Sequence, residues 1–380
     1  MFRSSPLDTN LTNDETVVLF PSLGHLSPDG QTWHVQVHGE VFSKQTTIGL
    51  AKRLLLRMLQ RAMQAPDDEF GTPIFQQRIA RWLASDERGK RIAIKVGPSV
   101  HVLPKKSRRN GHFFGTLRLT PEDLASFHAT SSSQQPLQLE VCGPNGEPLL
   151  VQGQAYLLGQ QGVSVISDID DTIKHSHVSC KRTLLRNTFL NRYESVPGMA
   201  EVYRQWADAG AAFHYVSSCP WQLYREIAAY FTEARFPAGS FHLRSFRLRD
   251  HLIRRLLLMR RSGKKKIIFR ILNTFPQRKF ILVGDSGEHD PEIYGAAARR
   301  FPDQVARILI RRLGTASDSA ERYEKAFRGV RSDIVQLFRD PAEIAQLALP
   351  ADQPDISSPN FAAQTFRPVE RHLVVEHRSA

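Results

Sequence analysis

Cysteine is scarce in this 380-residue sequence: Cys142, Cys180 and Cys219 are an odd number without metal-ligand spacing. That argues against a disulfide scaffold or a structural zinc site, and a reducing cytoplasm is the expected setting. Long apolar runs are missing too. No stretch of about 18 apolar residues occurs, and residues 1–16 are polar and acid-containing, without the apolar centre of a secretion signal. A soluble or peripherally membrane-bound protein is expected. No internal repeat is evident. With 41% hydrophobic and 23% charged residues, the chain can bury a substantial core, and its length suits two domains plus tails.

Acid is nearly absent from one stretch. Residues 244–279 hold thirteen Lys and Arg against the single acid Asp250, a local excess of twelve within a formal net charge of +13. Such a block is either a solvated helix face or a contact for an anionic membrane, nucleic acid or anionic substrate. Within it, Leu252 to Arg261 interleaves arginine with bulky apolar residues, a mixture suited to an anionic lipid surface.

Alternating apolar and polar residues in Trp33 to Val41, Arg91 to Val96 and Leu137 to Val141 predict a small, mainly antiparallel β domain over 17–160, preceded by a flexible end at 1–16. Between the first two of these strands, residues 48–61 form a basic amphipathic helix that either packs on the sheet or lies on a membrane. From Val163 the rhythm changes to short apolar strands separated by helical stretches, which predicts an α/β domain with a parallel sheet over 161–348. Strands are expected at 163–167, 212–217, 279–284 and 305–310. Helices are expected at 199–209, 221–234, 265–273 and 291–300, with two more after Ser317. The tail 349–380 is polar and expected to be disordered.

The chemistry concentrates at predicted strand ends, where open parallel sheets bind ligands. Three carboxylates, Asp168, Asp170 and Asp171, occupy four positions directly after the apolar, strand-like run Val163 to Ser167. Along a strand alternate side chains share a face, so Asp168 and Asp170 point the same way. Like charges that close need a proton or a divalent cation between them, and carboxylate oxygens suit Mg2+; an acidic turn is the plain alternative. The second strand runs into Ser217, and the third into Gly284-Asp285 with Asp290 beyond. Lys264, Lys265 and Lys266 open the helix before that third strand.

In this order the residues resemble the haloacid dehalogenase superfamily, whose motifs are Asp-x-Asp-x-Thr, Ser/Thr, Lys and Gly-Asp-x(n)-Asp. Asp168 to Lys174, Tyr215 to Leu223, Phe275-Pro276 and Gly284 to Tyr294 resemble more closely the catalytic domain of the actin-patch phosphatidate phosphatase family, including its bacterial members, over residues 163–312. Cys219 departs from the Ser or Asn more usual there. The resemblance implies a haloacid dehalogenase-like Rossmannoid sheet with helices on both faces.

It also implies Asp168 as nucleophile, Asp170 as general acid and base, Thr172 as a local bond fixing the loop, and Ser217 on a phosphoryl oxygen. Family spacing selects Lys264 from the three lysines as the phosphate lysine. Mg2+ would be held by Asp168, the backbone carbonyl of Asp170 and Asp285, with Asp290 a further ligand or orienting a metal-bound water. Asp171 is either a supporting group or a helix N-cap, and His175 and His177 are read as loop histidines outside the chemistry. Arg244 either touches a lipid phosphate or pairs structurally.

The short segments between motifs leave little room for a large cap. The site is read as open, and the family resemblance together with the basic segment 244–279 makes phosphatidate the first expected substrate, met through transient contact with a membrane surface, with no nucleic-acid partner. A protein, nucleic-acid-end or soluble phosphoester, or an inactive lipid-binding module, are the rivals. Oligomeric state is not legible.

Overall fold

The computed structural model describes residues 9–43, 49–124, 127, 136–143, 148–245, 262–315 and 318–350. Two compact units divide the chain. One combines the described residues before 45 with 85–157, and the other combines 49–84 with residues from 158 onward.

In the first unit, β1 (Glu15–Leu19), β2 (Ser22–Leu26), β3 (Trp33–Ser43), β4 (Ser85–Asp86), β5 (Ala93–Val96), β6 (Ser99–Val102), β7 (His112–Leu119), β8 (Leu137–Cys142) and β9 (Pro148–Leu158) form a nine-stranded sheet. Its registered neighbours pair antiparallel. Period-two patterning places Trp33, Val35 and Val37 in the core with Ile94, Phe113 and Leu139, while His34, Gln36 and His38 are half-buried on the opposite face. Ordered structure occurs within the segment 1–16 that the sequence suggests is flexible. Leu11 belongs to this core, Thr9 donates to the Gly143 carbonyl at 2.7 Å, and β1 starts at Glu15.

The amphipathic helix is α1 (Leu50–Met63), and with α2 (Pro73–Leu83) it belongs to the second unit rather than to the β domain. Chain order misleads here, because α1 lies against α3 (Lys181–Phe189), where Arg182 Nε donates to the Met63 carbonyl at 3.2 Å. Leu55, Leu59 and Met63 recur every fourth residue and are buried. α2 starts at Pro73, capped by Thr72, whose hydroxyl accepts from the Phe75 N–H. Its buried Arg78 donates to the carbonyls of Asn187, Thr188 and Asn191 at 3.2, 2.9 and 2.7 Å, taking up acceptors that the end of α3 leaves open.

The second unit is built on a six-stranded, all-parallel sheet of β10 (Val163–Ser167), β11 (Ala212–Pro220), β12 (Ser240–Arg244), β13 (Lys279–Asp285), β14 (Val305–Arg311) and β15 (Val335–Phe338), in the order β12-β11-β10-β13-β14-β15. Every residue of β10 is buried, as a central parallel strand requires. Helices α4 (Met199–Asp208), α5 (Tyr224–Glu233), α6 (Ser262–Thr274), α7 (Asp290–Arg300) and α8 (Ala320–Phe327) accompany it. β12 and β15 are additions to the expected strands; at five and four residues they are too short for a periodic signal. Strand order reverses at β10, the first strand, which has β11 on one side and β13 on the other. Crevices for ligands form at the carboxyl ends around such a reversal.

Candidate active site

Asp168 directly follows β10, and its N–H donates to the Val283 carbonyl on β13 at 2.9 Å, so the ladder fixes its backbone. Its side chain is fully buried. Lys264, in the first turn of α6, is buried as well and places Nζ 2.9 Å from Asp168 Oδ1, 2.5 Å from Asp290 Oδ1 and 3.7 Å from Glu288 Oε2. Lys265 and Lys266 are exposed. Thr172 Oγ1 donates to Asp168 Oδ2 at 3.4 Å.

Asp170 lies two residues on but has partners of its own. Lys174 Nζ is 2.9 Å from its Oδ1, Ser176 donates to the same oxygen at 2.6 Å, and Ser217 donates to Oδ2 at 3.0 Å. The chain can reverse so tightly because Asp171 adopts a left-handed φ of 55°, which Asp tolerates better than most residues. The Asp171 carboxylate then accepts the N–H groups of Ser176, His177 and Val178 at 2.7, 2.8 and 2.7 Å. It is a loop clamp, not a helix cap.

The third cluster sits at the end of β13. Asp285 Oδ1 accepts from the N–H groups of Gly287 and Glu288 at 2.6 and 3.0 Å, and Asp290 Oδ2 accepts from the Asp285 N–H at 3.3 Å. Glycine at 284 leaves room for the Asp290 side chain: a Cβ there would lie 2.2 Å from Asp290 Oδ2 and 2.7 Å from its Cγ.

Burial and repulsion dominate the electrostatics. Burial pushes the Asp168 carboxyl up to about 7 against the pull of Lys264, with Asp290 and Asp170 adding repulsion. Burial likewise raises Asp285, reinforced by Asp290 and Asp168, and Glu288 rises well above its ordinary range. Asp170 goes the other way. Burial raises it, but the Lys174 cation and the hydrogen bonds from Ser176, Lys174 and Ser217 together outweigh that and hold it low. Two carboxylates two residues apart are thus driven in opposite directions.

One carboxylate oxygen each from Asp168, Asp285 and Asp290 lies within 4.8 Å of the others, and Asp285 Oδ2 is buried without a hydrogen-bond partner. A buried orphan acceptor among crowded acids, two of them ion-paired to Lys264, fits a hard divalent cation. The side chain of Asp170 stands outside this group.

Lys174, Ser176 and Glu288 join the cluster without having been singled out from sequence. The Asp170 to Lys174 spacing of four would suggest a helix pair, whereas the structure pairs them across a turn. His175 and His177 stack with ring centroids 6.3 Å apart and do not belong to the carboxylate cluster. Cys219 donates its N–H to Ser217 Oγ at 2.9 Å, and burial pushes its thiol well up. Arg244 ends β12 in register with Pro220. The Leu/Arg stretch 252–261 lies outside the described residues. Among the described residues, no helix is long and apolar enough to cross a membrane.

Comparison with known proteins bears on the region around this site. The phosphatidate phosphatase APP1 of Saccharomyces cerevisiae is 32% identical over 206 residues, covering 53% of this chain and 35% of that protein. An uncharacterized protein of Schizosaccharomyces pombe is 26% identical over 197 residues, covering 50% and 32%. The chain thus spans about a third of the length of the curated relatives it matches. Residues 163–312, which carry every carboxylate of the site, match the family model described as the catalytic domain of phosphatidate phosphatase APP1.

Proposed function

We propose that the second unit is a haloacid dehalogenase-type phosphatase domain that hydrolyses a phosphomonoester through an aspartyl-phosphate on Asp168, with phosphatidate as substrate and diacylglycerol and phosphate as products. The observation that carries this reading is the separation of the two neighbouring acids. Asp168 is paired with Lys264 beside the candidate metal carboxylates, while Asp170 is held by Lys174, Ser176 and Ser217.

In the first step an Asp168 oxygen attacks phosphorus and the bond from phosphorus to the alkyl oxygen breaks. Asp170 passes a proton to the departing alkoxide. Because Asp170 is ionised at rest, that proton comes from the monoanionic phosphate ester, whose second ionisation lies near ~6. In the second step Asp170 takes a proton from water as the oxygen attacks phosphorus, releasing phosphate and regenerating the Asp168 carboxylate. Lys264 balances charge on Asp168 and the phosphoryl oxygens, and Ser217 turns its hydroxyl from Asp170 toward the phosphoryl group. Asp168, Asp285 and Asp290 would hold Mg2+, which when bound neutralises phosphoryl charge as a Lewis acid.

The substrate assignment draws on the family match and on the activity named for the yeast relative. Phosphate release is the test, measured from phosphatidate in mixed micelles and from soluble esters, with and without Mg2+, for the parent and Asp168→Asn. Mg2+-dependent release from phosphatidate that the variant lacks is expected. Turnover of soluble esters alone would remove the lipid assignment, and no turnover of any ester would leave a binding module.

A further inference from the structure

One face of α1 takes no part in the core. Leu50 and Leu54 are 85% and 56% exposed, and Arg53, Arg57 and Arg61 are exposed beside them. Leu50, Leu54, Arg57 and Arg61 recur every three or four residues and Arg53 adjoins Leu54, so the five form one stripe, away from the buried Leu55, Leu59 and Met63. The stripe extends roughly 17 Å at a rise of about 1.5 Å per residue, and the helix contains no acid.

α1 is held as a platform. Lys52 Nζ donates to the Leu83 and Ala84 carbonyls at 2.6 and 3.1 Å, and Arg182 holds the far end at Met63. Arg182 stands only four residues beyond Val178, whose N–H binds the active-site loop acid Asp171.

We propose that α1 docks the protein on an anionic lipid surface, with Leu50 and Leu54 entering the acyl boundary and Arg53, Arg57 and Arg61 meeting lipid phosphates. The purpose of this contact, delivery of a lipid substrate, rests on the phosphatase reading of the site; the binding itself does not. Charge complementarity alone would equally suit a nucleic acid. The two leucines decide for lipid, because exposed apolar side chains between the arginines gain nothing from a phosphate backbone but are removed from water at a bilayer.

Co-sedimentation of the full chain with phosphatidylcholine vesicles, with and without phosphatidylglycerol and in the presence of a chelator, tests the proposal. The parent binds only the anionic vesicles. Arg53→Gln/Arg57→Gln/Arg61→Gln lowers partitioning roughly a hundredfold, about fivefold per arginine. Leu50→Gln/Leu54→Gln lowers it at least about tenfold, both with unchanged circular dichroism.

Failure of the parent to bind anionic vesicles overturns the proposal, as does equal binding by either variant. Capture of single-stranded RNA that depends on the arginines but not the leucines would replace it with a nucleic-acid surface. Phosphate release by the parent from phosphatidate micelles and from a soluble ester, both with Mg2+, is measured in parallel. Absence of both would remove the phosphatase reading and leave the vesicle result to decide this one.

Discussion

The raised Asp168 carboxyl makes metal-free stability depend on pH in the opposite sense from an ordinary aspartate. In the folded chain it ionises at about 7, whereas the unfolded residue ionises near 3.8. A group with a raised folded value stabilises fully below the unfolded value, and that contribution is lost as pH rises through the folded one. Between pH 6 and 8 the folded chain releases about one proton from Asp168 while the unfolded chain releases essentially none. Stability falls by about 1.4 kcal/mol over that window.

Buried histidines oppose this trend. Burial depresses His214 well below its ordinary range and His242 to about 4, so their neutral forms add stability as pH rises through the unfolded range near 6.5. The measurement must therefore be a difference. Urea unfolding with a chelator present, at pH 6, 7 and 8, should show the parent losing about 1.4 kcal/mol relative to Asp168→Asn. Saturating Mg2+ should abolish or invert that loss, because cation binding favours the ionised acid. Parallel curves for the two proteins without metal would refute the reasoning, and so would a difference that Mg2+ leaves unchanged.

Further outcomes follow from named contacts. Gly284→Ala should displace Asp290 and weaken Mg2+ affinity at least about tenfold by calorimetry, since its Cβ would lie 2.2 Å from Asp290 Oδ2. In the first turnover, Asp170→Asn should slow alcohol release from an alkyl phosphate by about 10²–10⁴-fold but the burst of p-nitrophenol from p-nitrophenyl phosphate far less, because the latter leaving group needs no proton; equal first-turnover losses would count against Asp170 as the acid. Arg78→Met leaves three carbonyls near the end of α3 without their shared donor, and thermal unfolding should report a cost of about 2–4 kcal/mol. Mg2+ affinity should rise between pH 6 and 8, because Asp168 must lose its proton to serve as a ligand; a flat profile by calorimetry would exclude Asp168 from the metal set.

Much of this site was legible from residue order because a parallel sheet delivers strand ends to one edge. Asp168, Ser217 and Asp285 each stand at or just beyond the carboxyl end of an apolar run, and β10, β11 and β13 bring those ends together. The basic amphipathic pattern of α1 was equally local, being a property of three- and four-residue spacing. Membership of α1 in the second unit was not, since its hydrogen bond to Arg182 spans 119 positions. Nor did local pattern distinguish the three lysines, although the spacing of the resembled family selected Lys264; the approach of α6 to the end of β10 places Lys264 on Asp168 and leaves its neighbours exposed. The opposite electrostatic behaviour of Asp168 and Asp170 lies furthest from local pattern. Their spacing determined that they would be neighbours, but burial and partners that only folding assembles push one carboxyl up and hold the other down.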